Sequence, residues 1–283
     1  MNSKYRIKKS TAEKVKLMFT YALLILMAAI MLVPFLWMLS ASLKLEKDVF
    51  SYPIVWIPRD PQWQNYVEIW KKVPLLTGFF NTTKLTVCTV VLQLLTSSLA
   101  AYAFAKLEFK GRDTIFMIYV MTISIPWQVY MVPQYKMMTL FGLTNSHIGI
   151  ILMHAFTATG VFMMRQFFMG VPKELNEAAA IDGAGPIRTF ISIMLPMAKS
   201  TLASLAIIVF TYSWNDYFTT FIMINDTEKL TLPVGILSIK QPFSTGDNVV
   251  FAAVVLAILP VLIVFLIGQK WIVKSMTHVG VKG

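Results

Sequence analysis

Six long stretches of the sequence are almost free of charged side chains, and this pattern restricts the fold more than any other feature. A helix that crosses the roughly 30 Å hydrocarbon core of a bilayer needs about 20 apolar residues. The chain is 57% apolar and 14% charged, whereas soluble domains average about 45–50% and about 25%. We therefore predict an all-α polytopic membrane protein with six transmembrane helices. They are predicted at residues 17–39, 85–105, 114–135, 142–164, 200–225 and 248–269.

Basic residues predict how these helices are oriented. The first stretch exceeds the roughly 7–15 apolar residues of a signal peptide, so it is predicted to be retained as a helix. Lys and Arg in the N-terminal tail, the 2–3 and 4–5 loops and the C-terminal tail outnumber those in the other loops by about two to one. By the positive-inside rule, both termini are therefore predicted to be cytoplasmic.

These assignments divide the chain into five parts. They are a basic cytoplasmic tail (1–16), the first helix (17–39), an extracytoplasmic loop (40–76), a transmembrane core (77–270) with an inner loop at 165–199, and a cytoplasmic tail (271–283). The net charge of +11 lies mostly on the inner side, where anionic membrane lipids are the expected partner; nucleic-acid binding is not predicted. The single cysteine, Cys88, and the scattered His147, His154 and His278 do not predict a metal site.

The inner loop contains a short predicted helix. Pro172 suits a first helical position, and the following residues are good helix formers. Gly183, Gly185 and Pro186 then end a helix of about ten residues. One face combines Leu175, Ala178, Ala179 and Asp182. This face is small and weakly apolar, which favours docking into a groove of a partner over lying on the membrane.

The same loop carries a spaced motif. Glu177-Ala178-Ala179, then Gly183, then Ile193-x-Leu195-Pro196 resemble the E-A-A-x3-G-x9-I-x-L-P motif of permease subunits of bacterial ABC importers. All seven fixed positions match, so the chain is identified as a member of that family, with its type I importer permease fold.

The resemblance implies a division of labour among subunits. Glu177, Ala178, Ala179, Asp182, Gly183, Leu195 and Pro196 are expected to couple the chain to an ATPase. The expected partners are a second homologous permease, two ATPase subunits and an extracytoplasmic binding protein. The sequence contains no G-x-x-x-x-G-K-[ST] phosphate loop. We therefore expect a non-catalytic subunit of the bacterial cytoplasmic membrane that binds no cofactor, with ATP and Mg held by the partner ATPase.

Further stretches resemble the smaller permease of maltose-type sugar importers. They are Trp214-Asn215-Asp216-Tyr217, Thr231–Gly235, the C-terminus and Asn65-Tyr66. This resemblance implies that the tail residues Gly280, Val281, Lys282 and Gly283 contact the ATPase. It also implies that Ile239, Lys240, Gln241, Pro242 and Phe243 contact the sugar-binding protein. The sequence of this loop departs from the maltose type.

A path for a sugar requires hydrogen-bonding groups and aromatic rings. The candidates within the predicted helices are Gln93, Ser97, Trp127, Gln128, His154, Thr157, Asn215, Asp216 and Tyr217. Each could equally bond to a neighbouring helix, and the larger permease could hold all the sugar contacts. Asp216 stands out because a carboxylate within a span normally faces the bundle interior or water.

Other function classes remain open at this point. An importer of a different small solute would carry the same inner-loop motif. A carrier driven by an ion gradient would need carboxylate relays within the spans, yet Asp216 is the one charge inside the six stretches. A membrane enzyme is not supported, because no catalytic set of residues is recognisable.

Overall fold

The computed structural model describes residues 11–72, 74–238 and 246–280, and this part of the chain contains helices and no strand. The helices are α1 (Thr11–Ser42), α2 (Asn65–Lys72), α3 (Leu75–Lys106), α4 (Arg112–Met121), α5 (Trp127–Leu140), α6 (His147–Met153), α7 (Ala158–Gly170), α8 (Glu174–Ile181), α9 (Pro186–Thr189), α10 (Leu195–Met197), α11 (Lys199–Trp214), α12 (Phe218–Met223), α13 (Leu232–Ser238) and α14 (Asp247–Gly280). A π-helical segment, Phe190–Met194, joins α9 to α10, and 3-10 turns lie at Glu46–Asp48, Thr122–Ser124 and Thr227–Lys229.

The six predicted spans are present, but three of them are bent. Helices α1, α3 and α14 are each long and apolar enough to cross a membrane. Three pairs pass the same test together: Arg112–Ser124 with α5, α6 with α7, and Pro186–Met197 with α11. The all-α fold with six spans is therefore confirmed.

The third span is sharply broken at a proline. Its two parts meet at 104° across Ile125 and Pro126. Ile125 is extended, with φ −88° and ψ 114°, because the ring of a following proline disfavours helical backbone. Pro126 then precedes the first residue of α5.

The fifth span ends earlier than the predicted residue 225. Helix α11 ends at Trp214, and α12 begins only at Phe218. The Asn215 side chain donates to the carbonyl of Thr211 (2.8 Å), and the Asp216 carboxylate accepts from the backbone N–H of Thr219 (3.2 Å). Short polar side chains of this kind compete with helical hydrogen bonds, which explains the break. In the fourth span, α6 and α7 meet at 48°.

Helix α1 is attached to the rest of the chain chiefly at its outer end. Its buried residues are Ser40, Ala41 and Ser42. Buried Asn65 donates to the carbonyls of Ser42 (2.8 Å) and Lys44 (3.1 Å). Buried Asn248 donates to the same Lys44 carbonyl (3.0 Å) and to Asn65 (3.1 Å). We call Lys44, Asn65 and Asn248 the outer polar knot, because it joins the ends of α1, α2 and α14.

The largest buried cluster packs α3 against α7 and α11. Small residues allow the closest approach, as is usual between membrane helices. A Cβ atom added to Gly160 of α7 would lie 2.5 Å from Ser97 Oγ and 3.2 Å from Ser97 Cβ of α3.

We expect Gly160→Ala to destabilise the chain by about 1–3 kcal/mol, because overpacking forces the two helices apart. Thermal unfolding of the protein purified in detergent measures this as a lower midpoint. Gly170→Ala is the matched control, since no atom in the described part of the chain lies within 4 Å of its added Cβ. Equal midpoints for the two variants would show that the α3–α7 contact is not tight.

Candidate functional site

Helix α8 forms a short helix in the inner loop, and a glycine turn caps its C-terminal end. Glu174 and Glu177 lie in its first turn, where the positive end of the helix dipole stabilises their negative charges. Gly183 has φ +74°. The Ala184 N–H donates to Ala179 (2.9 Å) and the Gly183 N–H donates to Ala180 (3.0 Å), which is the Schellman arrangement of a helix end. The helix has eight residues, and Pro172 precedes it instead of occupying its first position.

The predicted docking face is only partly free. Leu175, Ala178 and Asp182 are exposed, as is Glu177, but Ala179 is 4% exposed and packs within the chain. The prediction that Ala179 lies on an open surface is therefore wrong, since its side chain turns toward the bundle. Sequence reasoning also missed two bulky residues: Ile181 is 86% exposed and Ile187 is 74% exposed. The sequence did offer an indication of these exposed residues, because both have β-branched apolar side chains and flank the polar turn that ends α8.

Helix α8 is tied to the end of α3. Lys106 Nζ donates to the carbonyl of Val171 (2.7 Å), three residues before α8 begins. Within α8, half-buried Asn176 lies close to Tyr102 of α3. The start of α8 is therefore fastened to the inner end of the second span.

Leu195 and Pro196 lie in α10, away from the surface of α8. They follow the π-helical segment and precede the 78° bend into α11. Leu195 packs against the main buried cluster, and Pro196 is exposed. The structure thus places these two motif residues at the bend that leads from the inner loop into the fifth span.

A polar junction joins the breaks of the fourth and fifth spans. His154 follows the last residue of α6, and its Nε2 lies 3.7 Å from Asp216 Oδ2, which follows α11. His154 Nε2 also lies 3.5 Å from Thr219 Oγ1. Gln93 Nε2 of α3 donates to the His154 carbonyl (2.7 Å). The structure therefore brings three of the predicted path residues, Gln93, His154 and Asp216, into contact with one another. We call these three residues the polar junction.

The other predicted path residues are more dispersed. Ser97 is buried against Gly160 and has no hydrogen-bond partner among the described residues, and Thr157 caps α7. Trp127 Nε1 donates to Gln134 (3.0 Å), Gln128 and Asn215 are exposed, and Tyr217 stacks on Phe221. The predicted contact residues at 239–243 and the tail residues at 281–283 lie outside the described residues, and Gly280 ends α14.

Two structural groups escaped sequence reasoning. On the inner side, buried Arg165 donates to Asp113 (2.7 Å) and to the Phe104 carbonyl (3.2 Å). On the outer side, Asn145 Oδ1 accepts from the N–H groups of Asn225 and Asp226 (both 3.1 Å). The pKa of the Asp226 carboxyl is held below its usual value, mainly by a hydrogen bond from the backbone N–H of Glu228 and secondly by one from the Lys229 side chain. Both groups fasten loops to the bundle.

The polar junction and the capped inner helix lie within a region that matches a known family model. Residues 93–278 match the binding-protein-dependent transport system inner membrane component. The chain belongs to this family. The prediction of an ABC importer permease is thereby confirmed.

Similar proteins with known roles come from several transport systems. The arabinooligosaccharides transport system permease protein of Halalkalibacterium halodurans is 32% identical, over 90% of this chain and 93% of that protein. The diacetylchitobiose uptake system permease protein of Streptomyces coelicolor is 32% identical, over 92% and 87%. The sn-glycerol-3-phosphate transport system permease protein of Yersinia enterocolitica is 33% identical, over 91% and 95%.

A solved structure supports the same fold. One chain of a bacterial ABC transporter involved in the import of the acidic polysaccharide alginate superposes with a TM-score of 0.79. It is 26% identical, and the match covers 93% of this chain and 98% of that chain.

Proposed function

We propose that this chain is a permease subunit that imports a sugar, a di- or oligosaccharide, across the bacterial cytoplasmic membrane, coupled to a separate ATPase through α8. The observation that carries the proposal is the geometry of α8. It is rigidly ended at Gly183, tied to α3 by Lys106, and presents Ile181 to its surroundings with 86% exposure. Exposed aliphatic side chains beside a rigid helix suit insertion into a groove of a partner.

The mechanism proposed is alternating access. A binding protein delivers the sugar at the outer face, and closure of two ATP-bound ATPase subunits moves α8. Lys106 and Tyr102 pass this movement to α3. Gln93 on the same helix holds the carbonyl at the break of the fourth span, so movement of α3 reaches the polar junction. ATP hydrolysis on the partner then resets the cavity, and this chain performs no bond chemistry.

The assembly proposed contains a second homologous permease, two ATPase subunits and an extracytoplasmic binding protein. Relatives named for arabinooligosaccharides and diacetylchitobiose support sugar as the cargo. The relative named for sn-glycerol-3-phosphate favours a second candidate, an importer of another small solute. An ion-driven carrier has less support, since Asp216 is the one carboxylate within the six predicted stretches.

Affinity purification of the tagged chain in mild detergent, with mass spectrometry, tests this assembly. We expect recovery of an ATPase with a phosphate loop, a second permease and a binding protein. Ile181→Ser should reduce the recovered ATPase at least tenfold and leave the second permease bound, because it removes an apolar contact from α8 alone. Leu140→Ser is the control, since Leu140 is equally exposed at the end of α5. A homodimer that transports without ATP would instead support the carrier.

A further inference from the structure

Helix α11 has one face that is largely exposed in the described chain. Ile208, Thr211, Tyr212 and Asn215 are exposed, and their spacing of three and four residues places them on one side of the helix. The Tyr212 side chain is 63% exposed. We call Thr211, Tyr212 and Asn215 the α11 polar face, because all three carry hydrogen-bonding groups.

Counting residues along the helices puts the α11 polar face near the middle of the bilayer in the predicted topology. Trp214 Nε1 donates to the carbonyl of Ala257 (3.0 Å). Ala257 is ten residues from the start of α14 at Asp247, which corresponds to about 15 Å along a helix and about half of the hydrocarbon core. Polar side chains at this depth normally face the bundle interior or a water-filled cavity. The α11 polar face is therefore expected to meet water or solute rather than acyl chains.

The surroundings of this face are aromatic, and the nearby sequence stretches contain neither lysine nor arginine. The rings of Tyr212 and His154 meet edge to face with centroids 6.2 Å apart. Tyr212 also interacts electrostatically with Asp216 and with Tyr130 of α5, whose side chain is 43% exposed. No Lys or Arg occurs in the sequence at residues 114–135, 142–164 or 200–225, whereas Asp216 does. The one carboxylate of these three stretches therefore lies near the α11 polar face, and the basic group beside it is the imidazole of His154, 3.7 Å away.

We infer that the α11 polar face is this chain's wall of the solute path and that it admits uncharged, hydroxyl-rich solutes while disfavouring anions. This inference rests on the proposed function and narrows its substrate class. Phenol rings can lie against the C–H faces of a sugar, as aromatic rings do in apolar contacts. Asn215 Nδ2 donates a hydrogen bond to the Thr211 carbonyl. The Oδ1 atom of Asn215 is left to accept a hydrogen bond from a solute hydroxyl. A phosphate ester or uronate would instead meet the Asp216 carboxylate, with no lysine or arginine in these three stretches to hold it.

Thiol labelling of the assembled importer in proteoliposomes tests both parts of the inference. Cysteine is placed singly at Thr211, Tyr212 or Asn215 in a Cys88→Ala background, because Cys88 is exposed. The probes are a cationic and an anionic methanethiosulfonate of similar size. We expect both probes to react at these positions. When each rate is divided by the rate of the same probe with a free thiol, the cationic probe should be about threefold faster or more than the anionic one, because a carboxylate attracts a cation at short range. Leu26→Cys in the middle of exposed α1 is the lipid-facing control and should not react.

Asp216→Asn supplies the charge control. It keeps an oxygen that can accept from Thr219, and it should bring the two probes to equal relative rates. Unreactive cysteines at all three positions would overturn the path. Equal probe rates with Asp216 intact would overturn the exclusion of anions. Neither result would affect the import function, which is tested separately through α8 and the recovered ATPase.

Discussion

Replacing Gly183 by valine is expected to lower solute uptake at least tenfold while the chain stays in the membrane. Gly183 has φ +74°, a conformation that costs an L-residue roughly 1–2 kcal/mol and a β-branched residue more. The substitution should therefore undo the hydrogen bonds that end α8, from Ala184 to Ala179 and from Gly183 to Ala180. Uptake by cells, normalised to the chain in isolated membranes, measures the effect.

Gly183→Asn is the matched control for this experiment. Asparagine adopts the left-handed conformation more readily than other side chains. No atom of residues 11–72, 74–238 or 246–280 lies within 4 Å of an added Cβ at this position. We expect Gly183→Asn to keep most of the uptake. If valine and asparagine reduce uptake equally, the glycine is needed for contact with a partner rather than for its backbone conformation.

Glu177→Gln separates helix stability from contact at the same site. Glu177 is exposed in the first turn of α8, and glutamine is nearly as good a helix former. A loss of uptake in this variant would point to recognition by the ATPase. Unchanged uptake in both Glu177→Gln and Gly183→Val would contradict the coupling role of α8.

The second large effect is expected for Arg165→Ala, which should destabilise the chain by about 2–4 kcal/mol. Arg165 is buried and donates to Asp113 (2.7 Å) and to the Phe104 carbonyl (3.2 Å). Its guanidinium also lies 4.0 Å from the ring centre of Phe116. Removing it leaves a polar carbonyl without its donor and deletes packing at the inner ends of three helices.

Thermal unfolding in detergent measures this effect, and Asp113→Asn is its control. The Asp113 side chain is 67% exposed, and exposed ion pairs contribute roughly 0–1 kcal/mol. We therefore expect a small change for Asp113→Asn and a large one for Arg165→Ala. Equal losses would show that the ion pair, rather than the buried contacts of Arg165, fastens the loop.

The sequence predicts the helical class and the six spans because bilayer thickness imposes long apolar stretches. It also predicts α8, since its proline, helix formers and glycines act locally. The inward turn of Ala179 and the junction of His154 with Asp216 depend on which helices pack together. Such contacts join residues far apart in the chain, so local patterns do not reveal them. The coupling and path roles of these residues stay predictions.

The attachment of α1 has a consequence for how the protein is made. Within the described chain, α1 packs mainly against α14, where Trp37 meets Phe251 with ring centres 5.2 Å apart, and against the outer polar knot. Asn248 and α14 are synthesised after the other spans, so until translation is nearly complete α1 is held mainly at its outer end, as by the hydrogen bonds from Asn65 of α2. A chain that stalls before α14 would therefore leave most of α1 without a packing partner from its own sequence.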